Sequence, residues 1–315
     1  MAQCKTSPEV GGMGHSVKRK EDPRFIRGQG NYVDDIVRPG MVFMDIVRSP
    51  YAHAKIKSIN TEKALAHPGV AAVITGETLK EYNLHMMPTL MSDTQMVLPI
   101  EKVCYQAQEV AAVIATDRYS AADGVELVEV EYEPLPVVVD PHKATDPDAP
   151  IIRDDKEGQD SNHIFHWEAG DKSGTDEIFK NADVTVKENI YLPRIHVASI
   201  ETCGCLSEFD SVTGRLTVWM TTQAPHAIRT VLALVAGHVG LQEDKIRVIS
   251  PDIGGGFGGK VPVYPGYVIA IAASVVTGLP IKWIEDRREN LQADSFARDY
   301  HMTCEIAADK DGTLN

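Results

Sequence analysis

Positive charge is scarce in this sequence of 315 residues. It contains 31 Lys and Arg against 45 Asp and Glu, which gives a formal net charge of −14 at pH 7. The longest basic run is KRK at 18–20. A surface this acidic repels a phosphate backbone, so the composition argues against nucleic-acid binding. Small neutral or cationic ligands and protein partners remain open.

Long apolar runs are also missing. No window approaches the roughly 18 apolar residues that a membrane-spanning helix needs. The opening stretch MAQCKTSPEVGGMGHSVKRK lacks the apolar segment of a signal peptide. The apolar stretch YVIAIAASVV at 267–276 suits a buried helix instead. We therefore expect a cytoplasmic protein without a transmembrane segment.

Cysteine is sparse, and no spacing typical of a closed metal site occurs. The five cysteines are an odd number and are widely scattered, at positions 4, 104, 203, 205 and 304. This distribution favours free thiols in a reducing compartment. We predict no metal ligands in the chain, and we interpret Cys203 and Cys205 as buried structural thiols. Three histidines are predicted to be packed or capping residues: His196, His226 and His238.

The pattern of apolar residues predicts an α/β (α+β) fold in several segments. We expect a flexible lead-in at 1–22, a first α/β region at 23–140, a Pro- and Asp-rich linker at 141–165 and a second α/β region at 166–315. Predicted strands lie at 41–49, 70–75, 109–116, 128–140, 183–192, 215–223, 245–250 and 281–285. Predicted helices lie at 61–67, 120–128 and 226–237, with Thr61 and Ser120 as N-caps of the first two.

Two further segments carry specific expectations. Pro134 and Pro136 place the strand at 128–140 at a sheet edge. The charged run EDRREN at 285–290 is predicted to form an exposed face or an interdomain salt-bridge cluster. The last residues, EIAADKDGTLN, read as a hairpin that stops after its turn, with its first strand unpaired. We therefore expect the chain to be part of a longer polypeptide.

The most informative stretch is DIGGGFGGK at 252–260, because it matches two phosphate-binding patterns. The first is G-x-x-x-x-G-K, through Gly254, Gly259 and Lys260. In that motif the lysine is followed by a hydroxyl residue that coordinates Mg²⁺, whereas this chain has Val261. The sequence therefore argues against a P-loop.

The second pattern is the dinucleotide fingerprint G-x-G-x-x-G, which requires a helix that begins within the glycine loop. Pro262 and Pro265 instead predict a helix that begins near 264–266, too late for this role. A nicotinamide-dependent dehydrogenase thus remains only a minor alternative. Glycine occupies five of the six positions 254–259, a density that suits close approach of a ligand to the backbone, with Phe257 as one wall.

The same stretch, with TTQAPHAIRT before it and KWIEDRRENL after it, resembles the cofactor-binding part of the xanthine oxidase family of molybdenum hydroxylases. The N-terminal region resembles the hammerhead α/β domain of that family. Several stretches are similar to its carbon monoxide dehydrogenase branch, namely GNYVDDI, VRSPYAHAKIKSI, NLHMMPTL, EYEPLPVVVDP, NHIFHWEAGDKSGTD and SFARDYHMT. The resemblance therefore implies that residues 23–140 form a hammerhead domain and that 166–315 begin a molybdenum-cofactor domain.

The resemblance also implies site residues. Gln223 matches the glutamine whose side-chain amide donates a hydrogen bond to the molybdenum oxo ligand, which makes it a catalytic residue. Gly255, Gly256, Phe257 and Gly258 match the loop whose backbone N–H groups contact the cofactor. An uncharged donor can polarise an oxo group without becoming a competing base.

The activity that the resemblance implies is oxidation of carbon monoxide with water to carbon dioxide. The implied cofactor is molybdopterin cytosine dinucleotide with molybdenum, together with copper in the complete subunit. Electrons would leave to 2Fe–2S clusters on a small subunit and FAD on a medium subunit, in a dimer of heterotrimers. The implied location is the cytoplasm, with peripheral attachment to the inner face of the cytoplasmic membrane as a second option.

The sequence departs from the carbon monoxide dehydrogenase branch in two respects. Its copper-binding pattern A-Y-R-C-S-F-R is absent from these residues, and the family's active-site glutamate lies in a later segment. We therefore expect the chain alone to be inactive. An aldehyde or heterocycle hydroxylase of the same family, or a non-catalytic scaffold of the same fold, remains an alternative.

Overall fold

The structure is a computed structural model that describes residues 13–14, 16–89, 93–155 and 159–314. It confirms the α/β fold. The helices in these residues are α1 (Asp22–Phe25), α2 (Glu62–Leu65), α3 (Gly76–Glu81), α4 (Arg118–Leu127), α5 (Lys172–Asn181), α6 (Pro225–Ala236), α7 (Pro265–Thr277) and α8 (Arg287–Ala293). The strands are β1 (Val42–Arg48), β2 (Ala54–Asn60), β3 (Val70–Thr75), β4 (Met86–Pro88), β5 (Thr94–Met96), β6 (Lys102–Val103), β7 (Glu109–Ala115), β8 (Glu129–Pro134), β9 (Val184–Leu192), β10 (Gly204–Asp210), β11 (Arg215–Met220), β12 (Ile246–Ile249), β13 (Ile281–Ile284) and β14 (Tyr300–Ala308).

The predicted strands and helices are all present, although some ends differ. The strand predicted at 128–140 ends at Pro134 and lies at the edge of the three-stranded sheet β6-β2-β8, as the prolines indicated. Ser120 as an N-cap is wrong, because the Asp117 carboxylate accepts hydrogen bonds from the N–H groups of Tyr119 and Ser120 and α4 begins earlier. Thr61 occupies the N-cap position of α2 without a side-chain capping bond.

One seven-stranded mixed sheet contains strands from both halves of the chain. Its order is β12-β11-β10-β13-β1-β7-β3. The halves meet where β1 pairs in parallel with β13, with Val42 opposite Ile281 and Met44 opposite Trp283. A parallel pairing between such remote segments depends on the packing of the whole fold, so local sequence patterns do not indicate it.

Helix α7 forms the centre of the larger hydrophobic core. Its residues from Pro265 to Ser274 are all buried, and the helix contacts β10 and β13. Gly266 gives the Trp283 ring room, since a Cβ at this position would lie 2.3 Å from Trp283 Cη2. This tight packing fixes the first turn of α7 and therefore the end of the glycine loop that precedes it.

The last strand does not match its prediction. We expected the strand before the DKDG turn to be unpaired, but β14 pairs antiparallel with β9 along its whole length, from Tyr300 opposite Leu192 to Ala308 opposite Val184. The turn itself is confirmed, because the Asp309 N–H donates to Thr313 O (2.9 Å). The missed pairing involves a strand more than a hundred positions earlier in the sequence, which local patterns again do not reveal.

The predicted segment boundaries stay predictions. Most of the lead-in at 1–22 lies outside the described residues, as do positions 156–158 of the linker. The described part of 141–165 contains no helix or strand. The Asn162 side chain holds this segment together, because it accepts from Ile152 N and donates to the carbonyl oxygens of Ala144 and Pro150.

Within the described ranges, no helix is both long enough and apolar enough to cross a bilayer.

Candidate functional site

The candidate site lies where two parallel strands end. β11 and β12 pair in parallel, from Leu216 opposite Ile246 to Trp219 opposite Ile249. Gln223 follows β11, and the glycine loop, defined here as residues 254–260, follows β12. Because parallel strands end on the same side of a sheet, the two segments meet at this edge. The structure therefore brings the predicted site residues together.

The Gln223 side chain is oriented by the glycine loop. Its Oε1 accepts hydrogen bonds from the N–H groups of Gly258 (3.0 Å) and Lys260 (3.3 Å). Its backbone N–H donates to Lys260 O (2.9 Å). Two backbone donors identify the atom that faces the loop as oxygen, so the amide nitrogen Nε2 is directed elsewhere. No residue in the described part of the chain accepts a hydrogen bond from Nε2, and the side chain is exposed.

Gly256 is required sterically for this contact. A Cβ at Gly256 would lie 2.5 Å from Gln223 Oε1 and 2.6 Å from Cδ. These distances are far below ordinary van der Waals contact, so any side chain here would displace the amide. Glycine at this position therefore reflects close approach of the Gln223 side chain rather than an unusual backbone angle.

The rest of the loop leaves backbone donors free. The Gly259 N–H donates to Gly256 O (2.8 Å) and the Gly258 N–H to Gln223. The N–H groups of Gly255, Gly256 and Phe257 have no acceptor among the residues that the structure describes. A cluster of free backbone donors beside an amide N–H is typical of a site for an oxygen acceptor.

Phe257 is held in an uncommon conformation. Its φ of 51° lies in the left-handed region, between Gly255 (98°) and Gly258 (91°). The residue is 75% exposed, so burial does not explain this geometry. Backbone strain of this kind, at an exposed aromatic residue, is characteristic of ligand-binding loops.

Lys260 is an internal anchor of the loop. Its side chain is only 3% exposed, and its Nζ lies 2.9 Å from Glu201 Oε2. The same Glu201 oxygen accepts from the Gly254 N–H (2.7 Å). A lysine directed into the protein does not contact nucleotide phosphates, so the geometry agrees with the prediction against a P-loop.

Helix α7 begins at Pro265, within the predicted range 264–266. It therefore starts after the glycine loop rather than inside it, and its N-terminus is not presented to a pyrophosphate. Just before the helix, the Tyr264 hydroxyl donates to Gly259 O (2.6 Å) and lies 2.9 Å from Ser295 Oγ. Tyr264 thus ties the loop to the segment that follows α8.

A largely buried acidic cluster contains the residues that directly follow β13 and α8. Donor atoms of Cys203, Glu285 and Asp294 lie within 4.8 Å of one another, and Asn290 Nδ2 donates to Asp294 Oδ2 (2.6 Å). Burial, reinforced by the nearby Asp294 carboxylate, raises the pKa of Glu285 to about 9. Burial also raises the pKa of Asp294. At neutral pH Glu285 therefore holds a proton, so it can lie beside the Asp294 carboxylate without repulsion between two negative charges.

The prediction that Cys203 and Cys205 are buried thiols is confirmed. Cys203 is 1% exposed and Cys205 is fully buried, and burial raises the pKa of both thiols. Protonated, inaccessible thiols of this kind are unreactive.

The predicted histidines are only partly packed. His196 accepts from Ala198 N at Nδ1 (3.1 Å), and His238 bonds Asn83 O. His226 is exposed in the first turn of α6, and no side chain caps the start of this helix, so the prediction that His226 is packed or capping is wrong. In the described ranges, none of the three belongs to a cluster of potential metal ligands.

The charged run at 285–290 is largely internal. Arg48 on β1 bonds Glu289 (2.7 Å) and Glu109 (2.9 Å), with all three side chains at most 13% exposed. Asp286 caps α8 by accepting from Glu289 N (2.7 Å). An exposed face is therefore wrong for most of the run, whereas the salt-bridge cluster between the two halves is confirmed.

A cavity of about 390 Å³ lies elsewhere, in the first half of the chain. Its wall includes Lys102, Cys104 and Arg153 and no residue of the glycine loop. The loop instead faces solvent, with Phe257 and Gly258 exposed.

Comparison with known proteins agrees with this geometry. Residues 156–315 match the molybdopterin cofactor-binding domain. The chain belongs to this family. Residues 27–136 match the a/b hammerhead domain of aldehyde oxidase and xanthine dehydrogenase. These two matches confirm the predicted fold of the family, and the first of them contains both Gln223 and the glycine loop.

Individual family members show the same relationship. The carbon monoxide dehydrogenase large chain of Afipia carboxidovorans is 57% identical over 96% of this chain and 38% of its own length. The nicotine 6-hydroxylase large subunit of Paenarthrobacter nicotinovorans is 37% identical over 96% of this chain and 37% of its own length. The structure of reconstituted CO dehydrogenase from Oligotropha carboxidovorans superposes with a TM-score of 0.90 at 57% identity, over 96% of this chain and 38% of that one. The chain thus spans less than two fifths of these relatives.

Proposed function

We propose that this chain contributes to the large subunit of an aerobic, molybdenum-type carbon monoxide dehydrogenase. The reaction is CO + H₂O → CO₂ + 2 H⁺ + 2 e⁻. The observation that carries the proposal is the orientation of Gln223, whose amide nitrogen is left free because its oxygen is bound by Gly258 and Lys260. Identity of 57% to a carbon monoxide dehydrogenase large chain, against 37% to a nicotine hydroxylase, favours this substrate within the family.

The residues present fit a molybdenum–pterin group. When bound, that group supplies the two-electron redox chemistry. Gln223 would donate from Nε2 to an acceptor oxygen of the cofactor, and the N–H groups of Gly255, Gly256 and Phe257 would provide further uncharged donors. Gly258 acts indirectly, because its N–H orients Gln223. Preorganised neutral donors of this kind stabilise developing negative charge without accepting a proton.

The proposal extends to the cofactor, the partner subunits and the location. The cofactor is molybdopterin cytosine dinucleotide, with copper bound by a cysteine that these 315 residues do not contain, because the pattern A-Y-R-C-S-F-R is absent from them. The partners are a small 2Fe–2S subunit and an FAD medium subunit, in a dimer of heterotrimers. The location is the cytoplasm or the inner face of the cytoplasmic membrane. Residues 1–315 alone are expected to show no turnover.

The test uses the complete gene product with its partner subunits. Metal analysis measures molybdenum and copper per large subunit, and reduction of a dye acceptor is followed with carbon monoxide, an aldehyde or an N-heterocycle. The proposal predicts bound molybdenum and reduction that depends on carbon monoxide. Reduction with an aldehyde or heterocycle alone would establish the hydroxylase alternative, and no reduction with any substrate would support a scaffold.

A matched pair of variants tests the role of the amide. Gln223→Ala removes the donor, and we expect kcat to fall roughly 10²- to 10³-fold, as for loss of one oxyanion donor. Gln242→Ala is the control, because the side chain of that exposed glutamine donates to Gly237 O near the end of α6. Equal activity of the two variants would contradict the proposed role of Gln223.

A further inference from the structure

One carboxylate oxygen joins the two ends of the glycine loop. Glu201 Oε2 accepts from the Gly254 N–H (2.7 Å) and from Lys260 Nζ (2.9 Å). The Glu201 N–H in turn donates to Gly254 O (3.2 Å). Gly254 also lies close to the Glu201 side chain, since a Cβ at Gly254 would lie 2.5 Å from Glu201 Cβ. The loop is therefore held at its first and last residues by a single side chain.

Lys260 transmits this constraint to the amide of Gln223. Its N–H donates to Gln223 Oε1 (3.3 Å), and its carbonyl oxygen accepts from Gln223 N (2.9 Å). Its ammonium is buried and, in the described ranges, has Glu201 as its ion-pair partner. Because the pair is buried, an ammonium that moved away from the carboxylate would be left in the interior without a counter-charge. The position of the Lys260 side chain is therefore restricted by Glu201.

We propose that Glu201 is a positioning residue that sets the direction of the Gln223 amide through Lys260. Glu201 itself does not face the free donors of the loop, because its Oε2 is directed to Gly254 N and Lys260 Nζ. The inference rests on the proposed function for its effect on turnover, but not for its effect on the loop. It predicts that a change at Glu201 alters Gln223, although the two side chains share no hydrogen bond in the described structure.

The experiment compares variants of the complete enzyme complex. Glu201→Gln keeps the size of the side chain but removes the charge that Lys260 requires, and we expect kcat to fall roughly 10- to 100-fold, as for loss of a supporting contact behind a metal group. Hydrogen exchange at the amides of Gly258 and Lys260 is expected to become faster, because both donate to Gln223 Oε1. Glu208→Gln is the control, since this carboxylate lies on β10, the strand that follows Glu201, and pairs with Arg38 away from the loop.

The double variant Glu201→Gln/Lys260→Met separates positioning from simple charge burial. It has no unpaired buried charge, so its melting temperature is expected to recover towards wild type. If Glu201 positions the amide, kcat stays low and the Gly258 amide still exchanges rapidly. Recovery of kcat and exchange together with melting temperature would overturn the inference, as would a Glu201→Gln enzyme that behaves like Glu208→Gln.

The test still gives an answer if a variant does not fold or if the complex contains no molybdenum. If Glu201→Gln does not fold, the double variant supplies the same comparison of kcat and exchange with wild type. If the wild-type complex contains no molybdenum, the proposed function fails, but exchange at Gly258 and Lys260 still decides whether Glu201 positions the loop.

Discussion

Replacement of Gly256 by alanine should disable the site while leaving the fold intact. The new Cβ would lie 2.5 Å from Gln223 Oε1, 2.6 Å from Cδ and 2.9 Å from Cγ, so the side chain has to move. Movement breaks the hydrogen bonds from Gly258 N and Lys260 N, each worth about 1 kcal/mol. We therefore expect a loss of about 2 kcal/mol in loop stability. A roughly 10²- to 10³-fold fall in kcat follows, because the free amide donor is misdirected.

The assay is turnover of the complete complex with carbon monoxide and a dye acceptor, together with its molybdenum content. Gly240→Ala, after α6, is the matched control, since a Cβ there meets nothing within 4 Å while its φ of +94° makes any side chain strained. That variant should show backbone strain of roughly 1–2 kcal/mol without a direct clash with Gln223. If Gly256→Ala kept wild-type kcat, or lost no more than Gly240→Ala, contact between the loop and Gln223 would not be what orients the amide.

Three other predictions concern the support of the site. Gly266→Ala should destabilise the fold by about 1–3 kcal/mol, measured by denaturant unfolding, because its Cβ would lie 2.3 Å from the Trp283 ring. The raised pKa of Glu285, about 9 against 4.5, means that the folded protein keeps a proton that the unfolded chain releases. Stability should therefore fall as pH rises between these values, and Glu285→Gln should flatten that slope in melting curves. Arg48→Met should destabilise by about 3–5 kcal/mol, since it leaves two buried carboxylates unpaired, whereas Lys63→Met at an exposed pair should change stability by less than about 1 kcal/mol. If Arg48→Met and Lys63→Met lowered the free energy of unfolding equally, the distinction between buried and exposed ion pairs would be refuted.

The sequence pattern predicts helices and strands well where a segment is apolar throughout or has one clearly apolar face. β7 is an apolar, β-branched run that is buried along its whole length, and α6 has Pro225 in its first turn and an apolar face on Ile228 and Leu232. Pro265 predicted the start of α7 because its ring is compatible with the first helical turn. Such signals are local, and they survive folding because tertiary contacts reinforce them.

Contacts between remote segments were not predictable in this way. The proximity of Gln223 to the glycine loop was expected from family resemblance, and the parallel pairing of β11 with β12 now supplies its physical reason. Glu201 was missed because it lies far from Lys260 in sequence and belongs to no motif. Similarly, the raised pKa of Glu285 depends on burial against Asp294, which no run of charged letters reveals.

The most direct test of the account is a structure of the complete, molybdenum-loaded complex at a resolution that shows side-chain amides. The account predicts that Gln223 Nε2 lies within hydrogen-bond distance, about 2.7–3.2 Å, of an acceptor oxygen of the cofactor, with Oε1 still on the N–H groups of Gly258 and Lys260. A cofactor bound away from the glycine loop, or a Gln223 amide with Nε2 turned into the protein, would contradict it.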